Sequence, residues 1–268
     1  MIDTHAHLLS LENKDEIIDS MQSDGLECIV NIGTTVEDSI LGVELAKSNK
    51  NIYAAVGIYP EYSKEVAAED LKTVEKLSKE PKVVAIGEIG LDYHNDDYDR
   101  KSQKEIFVKQ LEIADKADLP FCIHCRGAVE DLYDILSENK HLINHSGLMH
   151  CYSEGKEWFK KFLDLGLYLS FSGNITYKKS DRSFLKEIPI DRILVETDSP
   201  YLSPEPLRGR VNNPKNVRFV IDKIAYELGI SCDEFEKITT ENARRLYYKI
   251  GKWLWGILNI KRNLDKIF

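Results

Sequence analysis

The chain has little cysteine and no cysteine framework: 5 in 268 residues, at positions 28, 122, 125, 151 and 232. An odd, scattered set argues against a disulfide-stapled secreted scaffold and for reduced thiols in a cytosolic compartment. The one close pair, in CIHC, reads as strand sequence, where residues i and i+3 face opposite sides roughly 10 Å apart, too far for a disulfide. No uninterrupted apolar run approaches the ~20 residues of a membrane span. The opening MIDTHAHL has no basic segment leading into an apolar one, so no secretion signal is read there and a cytoplasmic protein is expected. Positive charge is short as well, with 36 Lys and Arg against 45 Asp and Glu and a net charge of −9. No global basic field draws such a chain to nucleic acid; polyanion binding has to come from a local patch or from bound cations. Internal repeats, low-complexity tracts and Pro/Gly/Ser-rich linkers are missing too, which favours one domain.

What is present is an ordinary globular composition, 43% hydrophobic and 30% charged, in which strand-like and helix-like segments take turns. Short apolar runs rich in branched residues predict strands at 2–7, 27–32, 52–56, 83–87, 121–124, 148–150, 167–171 and 192–196. Three- and four-residue apolar spacing predicts helices at 12–24, 36–50, 69–78, 103–117, 129–137, 154–165 and 216–228. Eight strands alternating with helical sequence is the pattern of a parallel (β/α)8 TIM barrel, with a doubly wound open sheet as the competitor. The expected division is a barrel over 1–248 and a C-terminal extension over 249–268. That extension, basic and carrying Trp253 and Trp255, reads as a helix packed on the barrel, ahead of a partner-binding arm or a membrane-surface segment.

Residue types that bind metals fall at the ends of these strands. His5 and His7 end the first, Glu88 follows the fourth, His124 ends the fifth, His150 ends the sixth and Asp198 follows the eighth. In a barrel all strand C-termini share one rim, where active sites are built, so these six converge. Side chains two apart on a strand share a face, which pairs His5 with His7 and sets Asp3 beside them as a group that orients them from behind. Four imidazoles and two carboxylates exceed one tetrahedral zinc. They suit two divalent ions sharing a bridging carboxylate, with metal-bound hydroxide as the nucleophile on a phosphate ester.

DTHAHL, GEIGLDY, IHCR, HCYS and ETDSPYL, in this order and spacing, together resemble the TatD family of metal-dependent deoxyribonucleases, within the wider metallo-hydrolase superfamily. The resemblance runs from Ile2 to about Tyr247 and includes RGRVNNP and ENARRLY. It implies that His5 and His7 hold one metal and His124 and His150 the second, with Glu88 bridging. It makes Asp198 a ligand or base near the nucleophilic water, and DNA the substrate. Zinc, manganese, iron and magnesium are the metals it implies; mixed nitrogen and oxygen ligands favour the first three. The sequence departs from the family at GIYP, where Tyr59 stands in place of a histidine and is expected to meet substrate, and at HCYSE, where Glu154 replaces a glycine.

Arg126, two residues past His124, is placed to meet a substrate phosphate. Arg208 and Arg210, in a loop with Lys215 and Arg218 nearby, form the local basic patch expected of a phosphate binder. Asp92 and Ser172 are candidates for orienting ligands from behind. Two other readings compete with the nuclease. Related barrels hydrolyse cyclic amides, lactones, phosphotriesters or aminopurines, many with a carboxylated lysine as the bridge; here Glu88 has that place and Lys82 sits at the far end of its strand. A non-catalytic scaffold would be expected to have lost ligands, whereas all six are filled.

Overall fold

The computed structural model describes residues 1–251 except Asp96. The expectations for 252–268, including both tryptophans, lie outside the described residues. Eight parallel strands follow one another around a single sheet: β1 (Ile2–Ala6), β2 (Cys28–Ile32), β3 (Ile52–Val56), β4 (Val83–Asp92), β5 (Phe121–Arg126), β6 (Gly147–Met149), β7 (Tyr168–Phe171) and β8 (Ile193–Val195). The ring closes through a parallel bridge between Ala6 and Ser199. Two backbone hydrogen bonds hold the seam, His7 N donating to Ser199 O at 2.8 Å and Asp198 N to His5 O at 2.9 Å. This is the TIM barrel the alternation predicts.

Six helices occupy crossovers: α1 (Lys14–Ser20), α2 (Val36–Ser48), α3 (Ala68–Leu77), α4 (Arg100–Lys116), α5 (Val129–Glu138) and α6 (Phe159–Asp164). Between β7 and β8 the described chain makes only short 3-10 turns. After β8 come α7 (Val217–Leu228) and α8 (Cys232–Leu246). The latter is absent from the sequence expectation, although Ser231 caps it by accepting from Glu234 N and Asp233 and Glu234 favour its first turn. Its inward residues Ala243 and Leu246, with Tyr247, join Ile2, Cys28, Tyr53, Leu148, Tyr168 and Leu194 in the cluster that fills the barrel. Tyr247 Oη donates to Thr4 O at 3.2 Å, so α8 stoppers the end opposite the functional rim.

Two strands differ from their expected form. In β1 the register shifts between Asp3 and Ala6, an extra residue relative to β2. Strict alternation therefore fails, and Asp3 does not sit beside the imidazoles. Its carboxylate accepts from Thr197 N at 2.9 Å and from the Thr197 hydroxyl, and meets His5 only through the backbone N–H at 3.3 Å. In β4 the expected end at Gly87 is passed, and the strand runs on to Asp92 along β5. The glycines that read as a strand end serve close approach instead. A Cβ on Gly87 would lie 2.6 Å from Cys122 Cβ, and one on Gly90 (φ +141°) would lie 2.0 Å from His124 O.

Gly90→Ala is accordingly expected to cost about 2 kcal/mol or more, from backbone strain and the clash with β5. At roughly 2–4 °C per kcal/mol for a chain of this size, thermal melting should show a midpoint lowered by several degrees. An unchanged midpoint would show that β4 and β5 are not locked at this point.

Candidate metal centre

The C-terminal ends of the strands open into a cleft of about 670 Å3. His7, Glu88, His124, His150 and Asp198 line it together with Thr34, Tyr59, Tyr62, Arg126 and Tyr201. All six expected ligand positions come together here. His5 Nε2 and His7 Nε2 are 3.2 Å apart, and both face Asp198 Oδ1, at 3.5 Å and 3.4 Å. Glu88 lies between the histidine pairs. Its Oε2 is 3.5 Å from His5 Nε2 and 3.7 Å from His7 Nε2, while its Oε1 is 2.9 Å from His124 Nδ1 and 3.2 Å from His150 Nε2. Asp198 is turned into this cluster by a left-handed backbone conformation, φ +55°, which aspartate adopts more readily than most residues.

The far side of each imidazole is also held. Asp92 Oδ2 lies 2.9 Å from His124 Nε2, and Glu196 Oε1 lies 3.0 Å from His150 Nδ1. His7 Nδ1 is 3.3 Å from Ile32 O, and His5 Nδ1 is 3.3 Å from Cys122 Sγ. Ring orientation is thereby fixed with one nitrogen of each histidine directed at the shared centre, the arrangement found around metal-ligating histidines.

Charges in this enclosure control one another. Burial alone pushes Glu88 up, but the His150 charge and the close approach of the His124, His150 and His5 nitrogens outweigh it and hold the carboxyl well below its usual range. Burial pushes His150 down, yet Glu88 and Glu196 raise it well above an ordinary imidazole. His124 is likewise raised against burial by Asp92 and Glu88, and His7 by Asp198. His5 goes the other way, lowered by burial and by the neighbouring His150 charge. Burial raises the Cys122 thiol well above its usual value, so its sulfur stays protonated beside His5.

The donor set fits divalent cations. Three groups of three residues, His5/His7/Glu88, Glu88/His124/His150 and His5/His150/Asp198, each bring their ligand atoms within 4.8 Å of one another. His124 Nδ1 is buried and, despite its short distance to Glu88, makes no hydrogen bond of acceptable direction. Such an atom lacks the partner that burial demands.

The remaining expected residues divide. Asp92 is the last residue of β4 rather than part of a loop, and it does back His124. Tyr59 lines the cleft, but its hydroxyl points at the His124–Asp92 pair, 3.0 Å from each. Arg126 is exposed and lines the cleft. Arg208 and Arg210 are exposed but outside the lining; the Arg208 guanidinium lies over the Tyr177 ring, 4.3 Å from its centroid. Ser172 contacts Cys151 Sγ and Asn174, not a ligand. Sequence reasoning passed over Glu196 and Thr197. The signal for Glu196 was available, since it directly follows the eighth strand and precedes Asp198 by two residues, the spacing of His5 and His7.

Comparison with known proteins shows the family of the chain. The family profile described as TatD related DNase matches residues 2–248. The uncharacterized metal-dependent hydrolase YabD of Bacillus subtilis is 39% identical over 252 residues, covering 92% of this chain and 98% of that protein. The uncharacterized metal-dependent hydrolase YcfH of Escherichia coli K12 is 32% identical over 256 residues, covering 92% and 96%. Among solved structures, the TatD homologue YJJV of Escherichia coli K12 superposes with a TM-score of 0.88 at 25% identity, over 92% of this chain and 98% of that one. An organophosphorus hydrolase from Deinococcus radiodurans, at 14% identity and a TM-score of 0.66 over 92% of each chain, shares the fold. With the profile spanning nearly the whole chain and its relatives covered almost end to end, the chain belongs to the TatD-related DNase family and is a metal-dependent hydrolase.

Proposed function

We propose that the protein hydrolyses phosphodiester bonds of DNA, using two divalent cations held side by side on the cleft floor. The observation that carries this reading is Glu88, whose two oxygens face separate histidine pairs at 2.9–3.7 Å. A carboxylate facing both ways could serve two cations at once. His5, His7 and Asp198 would complete one position, and His124 and His150 the other. Their nitrogen and oxygen donors suit zinc, manganese or iron better than magnesium. The bound ions supply Lewis acidity and lower the pKa of water.

The chain's own groups do the rest. Asp198 lines the cleft with its carboxylate held in the ionised form by His7 and its neighbours against the effect of burial. It can therefore take the proton of an attacking water. Arg126 offers a guanidinium fork to a phosphate from the cleft wall. Arg208 and Arg210 lie on the loop after Tyr201 and Leu202, which line the cleft, so they suit backbone phosphates further along a strand. Tyr62 and Tyr201, 45% and 57% exposed, add aromatic faces on which bases can stack. The competing lactone or cyclic-amide chemistry loses support from Lys82. Its Nζ donates to the carbonyls of Asn49, Lys50 and Ile52, at the start of β4 and away from the cleft.

Three outcomes are expected. Chelator-treated protein should cleave neither single- nor double-stranded oligonucleotides, and manganese or zinc should restore turnover with metal content rising toward two per chain. A phosphodiester left intact under every divalent ion, while a lactone or cyclic amide is hydrolysed, would refute the nuclease reading. His124→Ala and Asp198→Asn should lower kcat by about 100-fold or more while circular dichroism stays unchanged; full activity in either variant removes that residue from the mechanism. Arg126→Ala should raise KM for oligonucleotides about tenfold with little change in kcat, matching one lost charge-assisted contact. Steady-state kinetics at fixed salt separates this from a KM equal to wild type.

A further inference from the structure

Glu196 is completely buried and lies two residues before Asp198. Its Oε1 accepts from Cys151 N at 2.7 Å and lies 3.0 Å from His150 Nδ1, while its Oε2 has no hydrogen-bond partner among the described residues. A buried carboxyl group with one idle oxygen is costly unless a neighbour depends on its position. The neighbour here is His150.

The four imidazoles are not backed alike. His124 and His150 rest on carboxylates, Asp92 and Glu196. His5 and His7 rest on a protonated thiol and a backbone carbonyl, Cys122 Sγ and Ile32 O. We propose that Glu196 is a positioning residue for the His124/His150/Glu88 half of the centre, holding His150 as the Nδ1–H tautomer with the Nε2 lone pair directed inward. The proposal rests on the two-ion reading above. It makes the two halves differ: one has ligands whose basicity depends on carboxylates behind them, and the other does not.

The test is zinc binding, followed by competition with a chromophoric chelator on metal-free full-length protein. Wild type should take up two equivalents. Glu196→Gln, which keeps volume and removes charge, should weaken one of them 10- to 100-fold and leave the other within twofold. The weakened equivalent should be the one that His150→Ala loses. Equal weakening of both, or of neither, overturns the proposal. A wild type that binds fewer than two equivalents overturns the two-ion reading instead. A second measurement then decides the role of Glu196 independently of any variant. In 15N-histidine spectra of the zinc-loaded wild type, the His150 proton should sit on Nδ1; a proton on Nε2 overturns the proposal.

Discussion

Four carboxyl groups and four imidazoles are enclosed at one end of a barrel, and each has to find its polar partner among the others. Asp92, Glu196, His5 and Glu88 are 2%, 0%, 0% and 3% exposed, so water satisfies almost none of them. In such surroundings an unpaired ion is expensive and a paired one is only offset when its geometry is good. The strand ends meet this constraint by interleaving: Glu88 between two histidine pairs, Asp198 against His5 and His7, and Asp92 and Glu196 behind the second pair. Below this layer the barrel interior is mostly apolar, from Val30 and Tyr53 to Leu148 and Leu194, and Tyr247 closes it. Stability is supplied by the lower layers, and the upper layer carries the polar cluster that could hold a cation, a division typical of this architecture.

The same donor set serves metal-dependent hydrolysis in general, and the specificity of the reaction lies in what surrounds it. Tyr59 joins the two levels. It lines the cleft, and its hydroxyl reaches the His124–Asp92 pair. Burial, with the nearby Glu88 and Asp92 charges, raises its pKa well above that of free tyrosine, so it stays a neutral donor to Asp92. A side chain at GIYP that seemed a rim contact in the sequence is therefore also part of what holds His124.

Sequence periodicity located all eight strands because their apolar runs are short, branched and bounded, and the convergence of the six expected ligand positions was legible because each lies at or just past the C-terminal end of such a run. What escaped notice had physical reasons. The extra residue in β1 that moves Asp3 to Thr197 leaves no mark on the alternation of DTHAH. The run of β4 past Gly87 is hidden because glycine reads as a boundary, whereas here it permits contact with Cys122 and His124. The polar face of α8 masked a helix whose burial is confined to a few residues such as Phe235 and Ala243. Glu196 went unassigned because a carboxylate at a strand end looks solvated until its histidine partner is placed beside it.

The barrel seam carries a consequence for how the protein comes into being. Asp198 N donates to His5 O and His7 N to Ser199 O, so the first strand completes the centre only by pairing with the last. His5 and His7 belong to the first strand of the sheet, but the carboxylates that face and orient this donor set come from positions as far along the chain as 198. The cluster of imidazoles and carboxylates is therefore complete only when the segment after the eighth strand is docked on the first.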